Sequence, residues 1–118
     1  MSGIFATAYE CFQNRDKFKG VFDCSGFVKY CYEKNGIKTV PPSSSSIWRD
    51  GKKGDGSIGD IACWNGHVGI CDGKGNVIHS YHKGMEIVAH SISKISEPNW
   101  SGPLLGYRRY SKKKQKNI

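Results

Sequence analysis

Residues 67–81 read HVGICDGKGNVIHSY. Two short runs of alternating character flank Gly73-Lys74-Gly75, and period-two alternation bounded by glycines signals a hairpin. A three-residue loop with Gly75 in the left-handed conformation pairs Asp72 with Asn76. Counting back, His67 opposes Tyr81 and Gly69 opposes His79. The two histidines then share one face as diagonal neighbours, roughly 7–8 Å apart at the backbone. A two-residue loop would put them on opposite faces, because a one-residue slip turns every side chain over.

The same period of two extends on both sides. DIACW (60–64) precedes the hairpin and MEIVAH (85–90) follows it, with HKG (82–84) as the next turn; LLGYRRY (104–110) supplies a last strand. Before residue 49 the pattern is helical. Residues 4–13 place Ile4, Ala8, Cys11 and Phe12 on one side. Cys24, Phe27, Val28 and Cys31 fall at i, i+3, i+4 and i+7 of a second helix over 24–34. Asp23 is its N-cap, and Asn35-Gly36 its stop. QNRDKFKG (13–20), VPPSSSS (40–46) and RDGKKGDGSIG (49–59) read as loops. Helices first and an antiparallel meander after them make an α+β domain.

The chain has 118 residues, room for one domain with its own core. No apolar run approaches the roughly eighteen residues of a membrane span. The first residues lack the basic and apolar regions of a secretory signal. The expectation is synthesis in the cytoplasm, after which the protein works inside the cell, leaves by a route without a cleaved signal, or is a domain cut from a longer chain. The net charge of +8 favours anionic partners. Residues 111–118 form a basic C-terminal tail, read either as a solvated end or as an electrostatic tether to a polyanion. The basic residues elsewhere are dispersed and no RNP or zinc-finger pattern occurs, so nucleic acid is not the expected partner despite three tryptophans and six tyrosines.

Five cysteines, Cys11, Cys24, Cys31, Cys63 and Cys71, cannot all pair within the chain. Cys31, Cys63 and Cys71 lie in apolar company and read as small core residues. A metal site from Cys63, His67 and Cys71 fails on distance. Neighbours four residues apart on a strand are about 13 Å apart, and zinc needs every ligand within about 2.0–2.3 Å. Neither a metal nor another cofactor is expected.

Cys24 is different. As a side chain it could fill the core, pair, bind metal or act as a nucleophile. At the first turn of a helix, the positive end of the dipole lowers a thiol's pKa. Unpaired N–H groups there can hold an oxyanion. A nucleophilic thiol needs a base. His67 can take the proton of Cys24, and His79 can bond the other ring nitrogen of His67 and set its tautomer. His82 and His90 read as surface or packing residues.

Two blocks carry a family resemblance. FDCSGFVKYCYEKNGI (22–37) resembles the nucleophile helix of NlpC-type cell-wall cysteine peptidases, whose signature is Asp-Cys-Ser-Gly-Phe/Leu-Val. IGDIACWNGHVGICDGKGNVIHSY (58–81) follows the family's run of Gly-Asp, apolar strand, His-Val-Gly-Ile, glycine turn and Ile-His. The resemblance spans roughly residues 20–110 and implies a papain-like core over residues 1–110, with the nucleophile at a helix N-terminus packed on a small antiparallel sheet. It implies the catalytic set Cys24, His67 and His79. PPSSSSIW (41–48) is similar to the family's Pro-Arg-Ser-Ser substrate loop, with Pro42 where the family has Arg. Asp23, Ser25, Ser45 and Trp48 are the substrate-binding candidates on these matches, and Ser43–Ser46 with Trp48 are expected to line one cleft wall. Many members carry a Tyr-x-Trp-Gly-Gly segment before the nucleophile. DKFKGVFDC (16–24) stands there instead, and the nearest counterpart of its tyrosine is Tyr9.

The implied activity is hydrolysis of an amide in peptidoglycan stem peptides, between a D-γ-glutamyl group and a diamino acid, by a monomer acting on the cell wall. Compact members of similar layout occur among interbacterial effectors, which have cognate inhibitors, and among phage lysis enzymes. The alternatives are acyl transfer or deamidation of a protein by the same fold, or a non-catalytic wall-binding module.

Overall fold

A computed structural model describes residues 3–82 and 84–112. Helix α1 spans Gly3–Gln13, with Ala8 and Cys11 buried. A single turn, α2 (Arg15–Phe18), stands inside the expected loop. Helix α3 covers Cys24–Glu33. It starts where the Asp23 carboxylate accepts the Gly26 N–H at 2.6 Å, satisfying a donor that the first turn leaves unpaired. It stops where Gly36 takes a φ of 82°, so that the Gly36 N–H reaches the Glu33 carbonyl and the Ile37 N–H the Tyr32 carbonyl.

The other two expected loops also contain regular structure. Pro41-Pro42 stays outside any helix or strand, but Ser43 accepts the Ser46 N–H and caps α4 (Ser44–Asp50), which buries Ile47. The segment 49–59 includes a two-residue edge strand, β1 (Lys52–Lys53). A serine run carries no hydrophobic period, so this helix follows from its cap and from one buried side chain.

Five further strands follow: β2 (Ile61–Trp64), β3 (His67–Cys71), β4 (Asn76–Tyr81), β5 (Glu86–Ser91) and β6 (Leu104–Arg109), with the short helix α5 (Ile92–Ile95) after β5. They make one six-stranded antiparallel sheet in the order β1-β6-β2-β3-β4-β5. The meander is as expected. The last strand turns back to pair with β2, which places β2 and β3 in the sheet interior.

All nine residues of β2 and β3 are buried, because both faces are covered. Toward α1 and α3 lies a dry layer that includes Phe27, Val28, Tyr32, Ile61, Cys63, Val68 and Ile70. On the opposite face, Ala62, Trp64, Cys71 and Val77 pack with Ile95 under Trp100 and Tyr107. Cys31, Cys63 and Cys71 are core residues, and all five cysteines are free thiols. Cys63 lies on the helix face and Cys71 on the other, so these two do not converge. Among the described residues no helix is long and apolar enough to cross a membrane. Residues 113–118 of the basic tail lie outside the described residues.

Candidate active site

The β3–β4 turn has the geometry its sequence implies. Gly75 has a φ of 88°, the Asp72 N–H bonds the Asn76 carbonyl at 3.0 Å, and Cys71 pairs with Val77. Asp72 also accepts the backbone N–H groups of Lys74 and Asn76, which locks the loop. This register puts His67 and His79 on one face, the one away from α3. His67 Nε2 lies 2.7 Å from His79 Nδ1. Gly69 makes room for the rings. A Cβ there would stand 3.1 Å from the Cβ atoms of both His79 and Val77.

Cys24, the first residue of α3, meets the sheet at the start of β3. Its thiol points to the Gly66 carbonyl at 3.9 Å. Cys24 and His67 line one cleft of about 450 Å³, together with Asp23, His82, Met85 and Trp100 among others. Ser80, on the cleft floor, donates to the Phe22 carbonyl and so ties β4 to the segment ahead of the nucleophile helix.

The electrostatics differ from the expectation at the thiol. Burial raises the Cys24 pKa above its ordinary value, and the Asp23 charge adds to that. The backbone N–H groups of Val68, Ser25 and Cys24 pull the other way without overcoming burial. Desolvation outweighs the helix end here because the sulfur sits under the β3 backbone rather than in water. Burial also lowers the imidazoles, His67 to about 4 and His79 to about 2, with the neighbouring His82 and the other histidines adding to the shift. At neutral pH the cleft holds a thiol beside a neutral imidazole.

His67 and His79 are 6% and 0% exposed, yet no described side-chain polar atom is both buried and without a partner. His67 Nε2 is taken by His79, so Nδ1 is the nitrogen that opens to the cleft. His79 Nε2 in turn lies 2.9 Å from Nδ1 of His90 on β5. His90, expected to be a surface or packing residue, is therefore the third member of an imidazole row. His82, assigned the same role, packs at a tilt against Tyr81 and lines the cleft.

Of the substrate-binding candidates, Asp23 is in the cleft, where its carboxylate also caps α3. The other three are elsewhere. Ser25 is buried and donates to the Pro42 carbonyl at 3.0 Å, holding the proline segment against α3. Ser45 is exposed on α4, 3.5 Å from the Ser43 hydroxyl. Trp48 lies under the Arg108 guanidinium, 3.7 Å from its ring centre, and against Gly106. Its face is occupied by protein. Tyr9 stacks between Phe5 and Phe12 along α1 and does not line the cleft. Met85 and Trp100, which no sequence signal singled out, form cleft wall in their place.

Comparison with known proteins agrees with the fold. The model of the NlpC/P60 family matches residues 8–109. The chain is 31% identical over 96 residues to the probable endopeptidase p60 of Listeria innocua, covering 75% of this chain and 19% of that protein. It is 36% identical over 77 residues to a probable endopeptidase of Corynebacterium glutamicum, covering 60% of this chain and 36% of that one. Among solved structures, an NlpC/P60 family protein from Bacillus cereus superposes with a TM-score of 0.62 at 30% identity, over 75% of this chain and 32% of that one. NlpC2 of Trichomonas vaginalis superposes with a TM-score of 0.68 at 21% identity, over 93% of this chain and 48% of that one. The chain thus spans about a fifth to a third of the length of the two endopeptidases.

Proposed function

The chain belongs to the NlpC/P60 family, and on that footing we propose that it is a cysteine peptidase of bacterial cell-wall peptides, with Cys24 as nucleophile and His67 as base. The observation that carries this reading is that a helix-end thiol and His67, itself hydrogen-bonded from behind to the buried His79, line one cleft.

The neutral starting state sets the order of events. His67 Nδ1 takes the thiol proton as the sulfur attacks the amide carbonyl. The backbone N–H of Cys24, at the open end of α3, stands where the oxyanion develops. The imidazolium that forms on His67 gives its proton to the leaving amine, and the C–N bond breaks to leave a thioester on Cys24. Water, deprotonated by His67, then attacks the thioester and releases the carboxylate and the thiol. His79 accepts from His67 Nε2–H throughout and stabilises the transient positive charge.

The proposed substrate is a stem peptide cut between D-glutamate, through its γ-carboxyl, and a diamino acid. Stem peptides carry free carboxylates, which suit the excess of cationic residues. The site of action is the cell wall. Purified peptidoglycan digested with the protein and with its Cys24→Ala variant, and analysed by mass spectrometry, tests this. The expected result is new amino and carboxyl ends at one stem-peptide bond with the wild type alone. Equal products from the two proteins overturn it.

A further inference from the structure

Three strands contribute one imidazole each to a diagonal row. His67 is on β3, His79 on β4 and His90 on β5, joined by contacts of 2.7 Å and 2.9 Å. Val77 pairs with His90, and His79 with Val88, so His90 and His79 are diagonal neighbours on one face. His79 is fully buried and both of its nitrogens are taken within the row. A neutral imidazole has one N–H and one lone pair. The direction of one contact therefore dictates the direction of the next.

We infer that His90 is a positioning residue that sets the polarity of this row, and so decides which nitrogen of His67 faces Cys24. The inference rests on the peptidase reading of the Cys24–His67 cleft. With His90 Nδ1 as acceptor, His79 must carry its proton on Nε2. His79 Nδ1 then accepts from His67 Nε2–H, and His67 Nδ1 is left bare toward the thiol. Reversed, the row puts a proton on His67 Nδ1, and the base cannot receive the proton of Cys24. Nothing within the His67–His79 pair chooses between these two directions, because each ring can donate or accept. The choice is made at the outer end.

A neutral His90 permits the productive direction, and a charged one forbids it. The ring is half-buried, with Nδ1 taken by His79. The groups facing it are His79 and Tyr81 from β4, Trp100 edge-on from the loop after α5, and Lys94 from α5. Lys94 is held over the Trp100 ring and paired with Glu97 at 3.5 Å. Burial first and the Lys94 charge second depress the His90 pKa below its ordinary value, which keeps the ring neutral at pH 7. Protonation makes both nitrogens donors, so a charged His90 can only point its Nδ1–H at His79 and reverse the row.

The test uses the full chain labelled with 15N-histidine. At pH 7.5 the wild type is expected to show His67 protonated on Nε2 alone. In His90→Ala the Nδ1–H form of His67 appears, alkylation of Cys24 by iodoacetamide slows by about tenfold, and kcat falls with KM unchanged. His90→Gln, which restores an acceptor oxygen, returns most of the signal and the rate. The wild type alone supplies a second readout if His90→Ala does not fold. As His90 takes up its proton, His67 is expected to gain an Nδ1–H signal before it becomes doubly protonated. An unchanged His67 tautomer in His90→Ala, or a wild type protonated on Nδ1 at pH 7.5, overturns the proposal. If the wild type cleaves no peptidoglycan, the proposed function fails, while the tautomer and alkylation still decide the role of His90.

Discussion

Two polar networks are buried in this sheet, and they are built to opposite ends. At the start of β2, Asp60 accepts the backbone N–H groups of Asp55, Gly56 and Ser57 at 3.0, 3.1 and 3.2 Å. It also accepts a two-pronged contact from Arg109 at 2.9 Å on each oxygen. Every partner is a fixed donor, and the carboxylate can play one part only. Burial lowers all three imidazole pKa values and so keeps the row neutral at pH 7, and each of its contacts can run in either direction. The first network fastens the 55–57 turn and β6 to the sheet. In the proposed mechanism the second takes a proton at His67 and gives it back, returning to its starting state. Saturation makes a buried polar group structural. A neutral and reversible set with one end open to a cleft is what acid–base chemistry requires.

Substitutions should separate the two. The largest effect expected is on chemistry. His67→Ala should lower kcat by about 10²–10⁴-fold, measured on peptidoglycan fragments, while its unfolding transition stays cooperative. Asp60→Ala should do the reverse. It orphans the Asp55 and Gly56 N–H groups and Arg109 Nε, while the Ser57 N–H and Arg109 Nη2 keep the Asp55 carboxylate, and should cost about 3 kcal/mol of stability in urea unfolding. Its kcat per folded molecule should stay near that of the wild type. If Asp60→Ala silenced the enzyme without destabilising it, the division between the networks would be wrong.

Gly69→Ala probes the seam between packing and chemistry. The new methyl meets the Cβ atoms of His79 and Val77 at 3.1 Å, in a sheet interior that has little freedom to give. An overpacking cost of about 1–3 kcal/mol is expected, with a fall in kcat as His79 is pushed off His67. Stability and turnover measured on the same preparation check whether the two losses come together.

A pH series sharpens the comparison without any substitution in the Asp60 network. The unfolded chain protonates its histidines as the pH falls through about 6.5. In the folded protein His67 waits until about 4 and His79 until about 2. The unfolded state therefore binds more protons across this window, and stability falls as the pH is lowered from about 6.5 to 4. Each of the two groups contributes about 1.4 kcal/mol per pH unit. Urea midpoints between pH 7 and 4.5 should show this slope, shallower in His79→Gln. A slope unchanged by that substitution would mean that the ring is not held neutral by burial.

How much of this could be read from residues alone varies with the range of the interaction that decides it. The α3 start was legible because a cap is local. Asp23, Cys24 and the glycine two positions on are enough to build it. The pairing of His67 with His79 was legible for the same reason, since Asp72, Gly75 and Asn76 set the β3–β4 register within five residues. The next hairpin was not. Reading HKG as a three-residue turn pairs Tyr81 with Met85. The structure pairs Tyr81 with Glu86, with Met85 in the left-handed region at a φ of 49°. That single-residue slip turns β5 over and carries His90 to the His79 face. Trp48 and Ser45 lie away from the cleft for a different reason. Their segment was matched to a substrate loop, but the Ser43 cap winds it into α4 and Arg108 covers the indole.

By itself, then, the order of residues determined the α+β layout, the thiol at the head of a helix and the two histidines on one strand face. Each follows from hydrogen bonds and periodicities spanning only a few positions. Tertiary structure decided what those groups experience. It placed the sulfur under the β3 backbone, where desolvation outweighs the helix end, and it brought a third imidazole from β5 to the back of the second. Burial and cross-strand register depend on where distant segments come to rest, and no short stretch of chain contains that information.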